Sequence, residues 1–334
     1  MITAQIGLAF TALQNHQLVA IPTETVYGLA ARMQDLDAIE KIYRLKGRPR
    51  SNPLIVHIAS MTELNDVVEN IPDIALRLAE KFWPGPLTLI LPKKKSVPDL
   101  VTAGQDSVAV RVPDHSMTIS LLHMLGEPLV APSANPFERI SPTTAGQVYS
   151  YFGENISFIL DGGPCTRGLE STIVGFHDSC PVIYRKGAIS KEQILQVAGM
   201  VKYRDEQDFA LHRTPGSMKR HYSPKTPTLI CDDALAAARN FRHLKTGVLL
   251  FRNQPLKKPA LFHEYLTTSG DLNEAGKNLY SALQRLDRLG LDLIILERVP
   301  EQGLGATIND RLERAAAGNE WKKKETSALT TTTN

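Results

Sequence analysis

Residues 202–226, KYRDEQDFALHRTPGSMKRHYSPKT, carry no hydrophobic period, and that gap divides a chain that is otherwise patterned. A helix needs apolar residues every three to four positions and a half-buried strand needs alternation. This stretch has neither, and charge, Pro215, Gly216, Pro224 and the adjoining Pro227 dominate it. A length of 334 residues suits about two domains. The segment therefore reads as a linker between a domain at 1–201 and another at 227–320. The polar tail 321–334 is expected to be disordered.

Before the gap, short apolar runs read as strands at Leu18–Pro22, Pro53–Ile58, Leu87–Leu91, Val108–Val112, Leu129–Ala131, Phe158–Leu160, Ser171–Phe176 and Val182–Tyr184. Helical patterns lie between them at Leu36–Arg44, Ile74–Phe82, Met117–Leu125, Ala145–Phe152 and Lys191–Val197. Strands outnumber helices, so the fold class is α/β with a large twisted mixed sheet rather than strict βαβ repeats. After the gap, strand patterns at Thr228–Cys231, Gly247–Phe251 and Leu291–Leu296 alternate with helical ones at Ala234–Phe241, Leu272–Leu289 and Arg311–Ala317. That alternation predicts a small Rossmann-like parallel α/β C-terminal domain.

Composition narrows the function. Lys+Arg 38 against Asp+Glu 35 leaves a formal charge of +3, too weak a field for a general nucleic-acid or membrane binder. Cys165, Cys180 and Cys231 form no CxxC and do not stand at zinc-ligand spacing from a His, which fits a reducing compartment. The N-terminus reads as an amphipathic helix rather than a signal peptide, and no apolar run approaches the ~20 residues of a membrane span. A cytoplasmic location is expected.

Familiar nucleotide motifs are missing. There is no GxGxxG, GxSxG or HExxH. The nearest approach to a P-loop, Gly270-DLNEA-Gly276-Lys277-Asn278, has one residue too many between its glycines and Asn where Ser or Thr belongs. Other clusters carry the chemistry. In Ile21-Pro-Thr-Glu-Thr-Val-Tyr-Gly-Leu-Ala30, a strand ends in two hydroxyls and a carboxylate at the edge where open sheets bind ligands. Thr23 or Thr25 could equally cap a helix. Lys41–Pro53 places five basic residues in ten positions, with Gly47 and Pro49 forcing a loop. Lys46, Arg48 and Asn52 could there hold a triphosphate, or the loop could be a solvated helix end. His57, in the next strand, is either a core histidine or a ligand contact. Leu129-Val-Ala131-Pro-Ser133-Ala-Asn135 again ends a strand in small polar groups, followed by Ser141-Pro-Thr-Thr at a helix start. Hydroxyls enter a strand in Gly168-Leu-Glu-Ser171-Thr-Ile-Val174. Arg111 and Arg185 stand on strands with a buried pattern, and a buried arginine requires an anionic partner from protein or substrate. Together they describe a cleft that positions anions and supplies no nucleophile of its own.

These segments, PTETVYGLA, KGRPRSNPLIVH, SVAVRVP, APSAN, SPT, LESTIV and YRKGAI, occur in an order that resembles the YrdC-like family. PGSMKRHYSP and GLGATINDRLERAA resemble the lid segment and C-terminal extension of its long form. The resemblance reaches to about residue 318. It implies a nucleotidyltransferase that joins L-threonine, bicarbonate and ATP into threonylcarbamoyl-adenylate and pyrophosphate, for t6A modification of tRNAs reading ANN codons. Matched motif by motif, it implies that Thr25, His57, Arg111, Ala131 and Ser171 line the threonine side. On the ATP side it implies Lys46, Arg48, Asn52, Ser107, Ser133, Ser141 and Arg185, with Tyr222 closing over the nucleotide, and it makes Lys46 and Arg48 the catalytic candidates. Phe137-Glu138 stands where the family usually has serine and glycine, which puts that loop's contact with ATP in question. Magnesium is expected to travel with the triphosphate, because the motifs hold no carboxylate cage. The implied partners are a downstream threonylcarbamoyl transferase complex and, only indirectly, tRNA. Competing readings are a double-stranded RNA or tRNA binding module and a carbamoyl-transfer enzyme of the same fold. The first lacks aromatic residues interleaved with basic ones, and the second lacks acylphosphatase and zinc-finger segments.

Overall fold

A computed structural model describes residues 1–177, 179–205, 214, 220–254 and 262–317. The chain forms two compact units: Met1–Phe137 with Ser141–Ser217, and Glu138–Ile140 with Met218–Asn334.

In chain order, the first unit contains β1 (Ile2–Thr3), α1 (Ile6–Gln14), β2 (Val19–Ile21), β3 (Gly28–Arg32), α2 (Leu36–Lys46) and β4 (Ile55–His57). It continues with α3 (Leu64–Val67), α4 (Asp73–Phe82), β5 (Leu87–Pro92), α5 (Asp99–Thr102), β6 (Ser107–Arg111), α6 (Ser116–Leu125) and β7 (Leu129–Val130). Last come α7 (Ala145–Phe152), β8 (Phe158–Leu160), β9 (Thr172–His177), β10 (Cys180–Arg185), α8 (Lys191–Ala198) and β11 (Lys202–Tyr203). The strands form one mixed sheet in the order β1-β8-β2-β3-β7-β4-β6-β5-β9-β10-β11.

Local sequence explains the helix ends. The Asp35 carboxylate accepts the Ala38 amide at the start of α2, and Gly47, at φ 64°, ends it in the left-handed conformation that glycine adopts without strain. Ser190 and Gln193 close a capping box on α8. Three strands depart from the sequence expectation. Gly28–Arg32 reads GLAAR, a poor strand former, yet β3 pairs antiparallel with β2 on one side and β7 on the other. Two partners override its weak propensity. Ile2–Thr3 is held by β8, and Lys202–Tyr203, expected in the linker, extends the sheet beside β10.

The pleat sends alternate residues to opposite faces. One face, with Ala20, Leu29, Val56, Val110, Leu89 and Val174, is sealed in the main apolar core with α2 and α4. On the other face, α1 and α6 cover Val19, Ile21, Ala30, Leu129 and Ala131. Farther along that second face the apolar floor is the smaller cluster of Ile55, Ala109 and Ile173, with Ile90 and Tyr184 against it.

The second unit contains β12 (Thr228–Cys231), α9 (Ala234–Ala238), β13 (Thr246–Arg252), β14 (Phe262–Thr267), α10 (Leu272–Asp287), β15 (Leu293–Glu297) and α11 (Gly305–Ala316). Its sheet, ordered β12-β15-β13-β14, pairs in parallel throughout. The pattern at Phe262–Thr267, FHEYLT, escapes a hydrophobicity reading because β14 is an edge strand whose first residues are exposed. The P-loop look-alike is a turn at Gly270 followed by α10, with Asp271 accepting the Asn273 amide at its start.

Candidate active site

Strand register decides which groups share a face. Ile55 pairs with Ala109 and His57 with Arg111 between β4 and β6. Ile90 pairs with Ala109, Thr88 with Ile173, and Arg185 with Ile173. With the alternation of the pleat, His57, Arg111, Ser107, Thr88 and Arg185 all belong to the face of the Ile55–Ala109–Ile173 floor. Ala131, whose amide donates to the Ile55 carbonyl, joins them from the end of β7.

The loop 22–27 is locked between two others. Leu29 N–H donates to Pro132 O, Tyr27 N–H to Pro142 O, and Ala134 N–H to Tyr27 O. PTETVYG is thereby one structure with APSAN and SPT, which lie more than a hundred residues further along the chain. Within the loop, Thr25 accepts a hydrogen bond of 3.1 Å from Arg111 Nη1, and Arg111 Nη2 forms an ion pair with Glu24. The second Glu24 oxygen accepts the Asp114 amide at 3.2 Å. The anionic partner that a buried Arg111 demanded is thus the protein's own Glu24. Arg111 Nε, in contrast, is buried with no acceptor among the described residues.

His57 is nine-tenths buried or more, and its Nδ1 lies 3.1 Å from Ile55 O. Burial first, then the Arg111 charge, lowers its pKa to about 3. The folded protein therefore does not protonate His57 between about pH 6.5 and 3, whereas the unfolded chain does. Stability is complete above pH 6.5 and falls as pH drops through that window, at about 1.4 kcal/mol per pH unit from this group. Denaturation midpoints measured from pH 7 to 4.5 should show this slope, and His57→Leu should flatten it. An unchanged slope in that variant would refute the neutral buried histidine.

Of the two readings of the basic loop, a purely solvated helix end does not describe it: Gly47, Pro49, Arg50 and Ser51 are exposed, but Lys46, Arg48 and Asn52 are all buried. Arg48 Nη2 donates to Asn52 Oδ1 and Pro53 O, both at 2.7 Å, and Nε donates to Asn52 O at 3.1 Å. Arg48 and Asn52 therefore brace the turn into β4. Lys46 Nζ donates to the carbonyls of Ser133 (2.5 Å) and Asn135, and burial followed by the Arg48 charge holds its pKa well below the usual lysine value. Two carbonyl dipoles orient that ammonium without neutralising it.

At the other side of the face, Arg185 donates from Nε (3.1 Å) and Nη2 (2.8 Å) to Ser171 O, and from Nη2 to Ser171 Oγ at 2.9 Å. Ser171 Oγ also lies 2.7 Å from Thr88 Oγ1. Ser141 Oγ donates to Glu170 at 2.8 Å. Ser107 and Ser133 are half-buried. Glu24, Thr88 and Glu170 escaped the sequence reading as individual residues. Thr88 was legible by alternation with Ile90, and Glu24 by the unmet charge of Arg111.

Tyr222 belongs to the second unit, is 1% exposed, and stacks on Tyr280 with ring centroids 5.4 Å apart. The Arg311 guanidinium lies 4.8 Å from the Tyr222 ring. An aromatic–cation stack holds the ring in that unit's core. The Phe137-Glu138 departure also acquires a setting. Glu138 adopts φ 65° and accepts the Ser223 amide at 2.8 Å, while Arg139 pairs with Ser223 as a β-bridge. Residues 206–213 and 215–219 of the expected linker, and the tail 321–334, lie outside the described residues.

Hydroxyl, guanidinium and ammonium groups over one partly uncovered sheet face define an α/β protein built to position small anionic ligands. The family model described as Telomere recombination, covering Sua5, YciO and YrdC, matches residues 11–187. That described as Threonylcarbamoyl-AMP synthase, C-terminal domain, matches residues 189–317. The chain belongs to the Sua5/YciO/YrdC family, in the form that carries the Sua5 C-terminal domain. It is 37% identical to the threonylcarbamoyl-AMP synthase of Pyrococcus abyssi, over 93% of this chain and 94% of that one. It is 39% identical to the enzyme of the same name from Bacillus subtilis, over 94% and 93%. The structure of P. abyssi Sua5 complexed with L-threonine superposes with a TM-score of 0.86 at 37% identity, covering 93% of this chain and 94% of that one. Among the described residues no helix is long and apolar enough to cross a membrane.

Proposed function

We propose that this chain synthesises L-threonylcarbamoyladenylate from L-threonine, bicarbonate and ATP, releasing pyrophosphate. The observation that carries the reading is convergence: Thr25, His57, Arg111, Ala131, Ser171 and Arg185, spread over 160 positions, meet on one face or on the loop across it. The relatives named above, similar along nearly the whole chain, carry that activity in their names. The P. abyssi neighbour held L-threonine.

The chemistry asks for positioning. Threonine's amine adds to bicarbonate-derived carbon dioxide, giving an N-carboxylate and releasing a proton. A carboxylate oxygen then attacks the α-phosphorus of ATP, a phosphorus–oxygen bond forms, and the bond to the pyrophosphate leaving group breaks. No protein nucleophile enters this sequence, which suits a site of donors and cations. In our reading, the orphan Nε of Arg111 meets an anionic group of the amino acid, since a buried donor without a partner is costly. Lys46, held between two carbonyls with no carboxylate paired to it among the described residues, acts on the phosphates and lies nearest to a catalytic role. Arg48 and Asn52 support it by bracing the loop, and Ser107, Ser133, Ser141 and Arg185 frame the nucleotide side.

Magnesium would arrive with the triphosphate. Its preferred ligands are oxygens, and the two buried carboxylates beside the site, Glu24 and Glu170, are engaged by Arg111 and Ser141. The product is a labile mixed anhydride, so a transferase that delivers threonylcarbamoyl to tRNA for t6A must consume it. The decisive experiment incubates the full chain with ATP, bicarbonate and labelled threonine. Pyrophosphate release is expected only when threonine and bicarbonate are both present, with label appearing in an adenylate. ATP consumption indifferent to threonine would exclude the reading.

A further inference from the structure

The hydrogen bonds of the loop 22–27 fix not only the place of Thr25 but the direction in which its hydroxyl points. Thr23 Oγ1 lies 2.7 Å from Val26 O, a carbonyl that can only accept, so the single Thr23 proton is on that bond. Thr23 and Thr25 hydroxyls are 2.8 Å apart, and with Thr23's proton already placed, Thr25 must be the donor between them. Arg111 Nη1, which carries no lone pair to offer, donates to Thr25 Oγ1 at 3.1 Å. A relay of fixed polarity follows: Arg111 to Thr25, Thr25 to Thr23, Thr23 to Val26 O. Thr25 is left with one unused lone pair and no proton. Both threonines are at least 98% buried, so water is a poor substitute for either partner.

We propose that Thr23 is a positioning residue that sets the polarity of the amino-acid site: by taking the Thr25 proton it makes Thr25 an acceptor only, so that the site admits a ligand N–H or O–H there and rejects a ligand acceptor. This rests on the reading above, in which Thr25 faces L-threonine. Threonine offers two such donors, its α-amine and its β-hydroxyl. Thr23 Oγ1 also accepts the amides of Thr25 (3.1 Å) and Val26 (3.2 Å), longer bonds that share one of its lone pairs while the Thr25 hydroxyl takes the other, so a structural role has to be separated from a polarity role.

Matched ligand pairs make that separation. L-2-aminobutyrate and 2-oxobutyrate differ at the α-position, donor against acceptor; 3-hydroxybutyrate and acetoacetate differ in the same way at the β-position. Each is titrated against labelled L-threonine bound to the full chain, by equilibrium dialysis. The wild type should prefer the donor member of one pair. In Thr23→Ala the Thr25 hydroxyl is released to rotate and donate, and that preference should narrow about three- to tenfold. Thr23→Ser should restore it. The pair that narrows identifies the donor as amine or hydroxyl. If both members weaken together and neither ratio moves, Thr23 only shapes the turn and the proposal is overturned. Should Thr23→Ala fail to fold, Thr25→Val carries the test: it must abolish the same preference, and a preserved preference overturns the proposal. Wild-type protein that binds no L-threonine would instead remove the reading on which the proposal stands, an outcome plainly distinct from normal threonine binding with fixed ratios.

Discussion

Glu24→Ala is expected to lower the melting temperature of the first unit by about 6–20 °C. The Glu24 and Arg111 side chains are 3% and 4% exposed and form an ion pair. Removing the carboxylate leaves a guanidinium in a dry setting with Thr25 as its one remaining acceptor among the described residues. Truncating one partner of a buried pair costs about 3–5 kcal/mol, and about 2–4 °C accompanies each kcal/mol in a unit of this size. The penalty is that of an uncompensated charge, so Glu24→Ala/Arg111→Met should recover much of it while leaving threonine use impaired. Calorimetry of the full chain, with both variants in parallel, measures this. A shift below about 2 °C in the single variant would mean that Arg111 finds another anion, and the assignment of Glu24 would fail.

The second large effect is expected at Gly187. A Cβ there would lie 2.3 Å from Thr172 N, 2.4 Å from Ser171 C and 2.6 Å from Glu170 O. All three are backbone atoms, so no side chain can swing aside. Gly187→Ala must push the loop after β10 off the entry to β9, and the hydrogen bond from Ala188 N–H to Glu170 O (2.9 Å) sits beside the clash. Overpacking of this kind costs about 3 kcal/mol when backbone has to move. The bonds from Arg185 to Ser171 span the same junction, so ATP and threonine use should weaken together. Amide exchange reports it directly: the Ala188 amide should lose protection, with α2 and α4 unaffected. Wild-type exchange at Ala188 and an unchanged melting temperature would show that the junction has slack.

Much of this molecule was legible before any coordinates. Thr228–Cys231 follows from its apolar run, α2 from its apolar spacing and Gly47, and the parallel second sheet from strand–helix alternation. These are properties of a few neighbouring residues, and hydrophobic period reports them directly. Two kinds of feature stayed hidden. Strands such as Gly28–Arg32 and Phe262–Thr267 exist because of their neighbours in the sheet, which no local window contains. The loop at Lys46–Asn52 could be read as holding phosphates or as a solvated helix end, and its sequence did not show that its donors find carbonyls and the Asn52 amide inside the fold.

Sequence by itself determined the class of fold, the division into two patterned regions, and an anion-positioning chemistry assembled from Ser, Thr, Lys and Arg. Side-chain type and period carry that information along the chain. Only the tertiary structure decided who partners whom: Glu24 for Arg111, Ser171 for Arg185, two carbonyls for Lys46, and Tyr280 with Arg311 for Tyr222. Those pairings depend on register and burial, which bring residues from 14 to 89 positions apart into contact. The direction of the hydroxyl proton at Thr25 is read from its contacts with Thr23 and Arg111 together with the Thr23–Val26 bond.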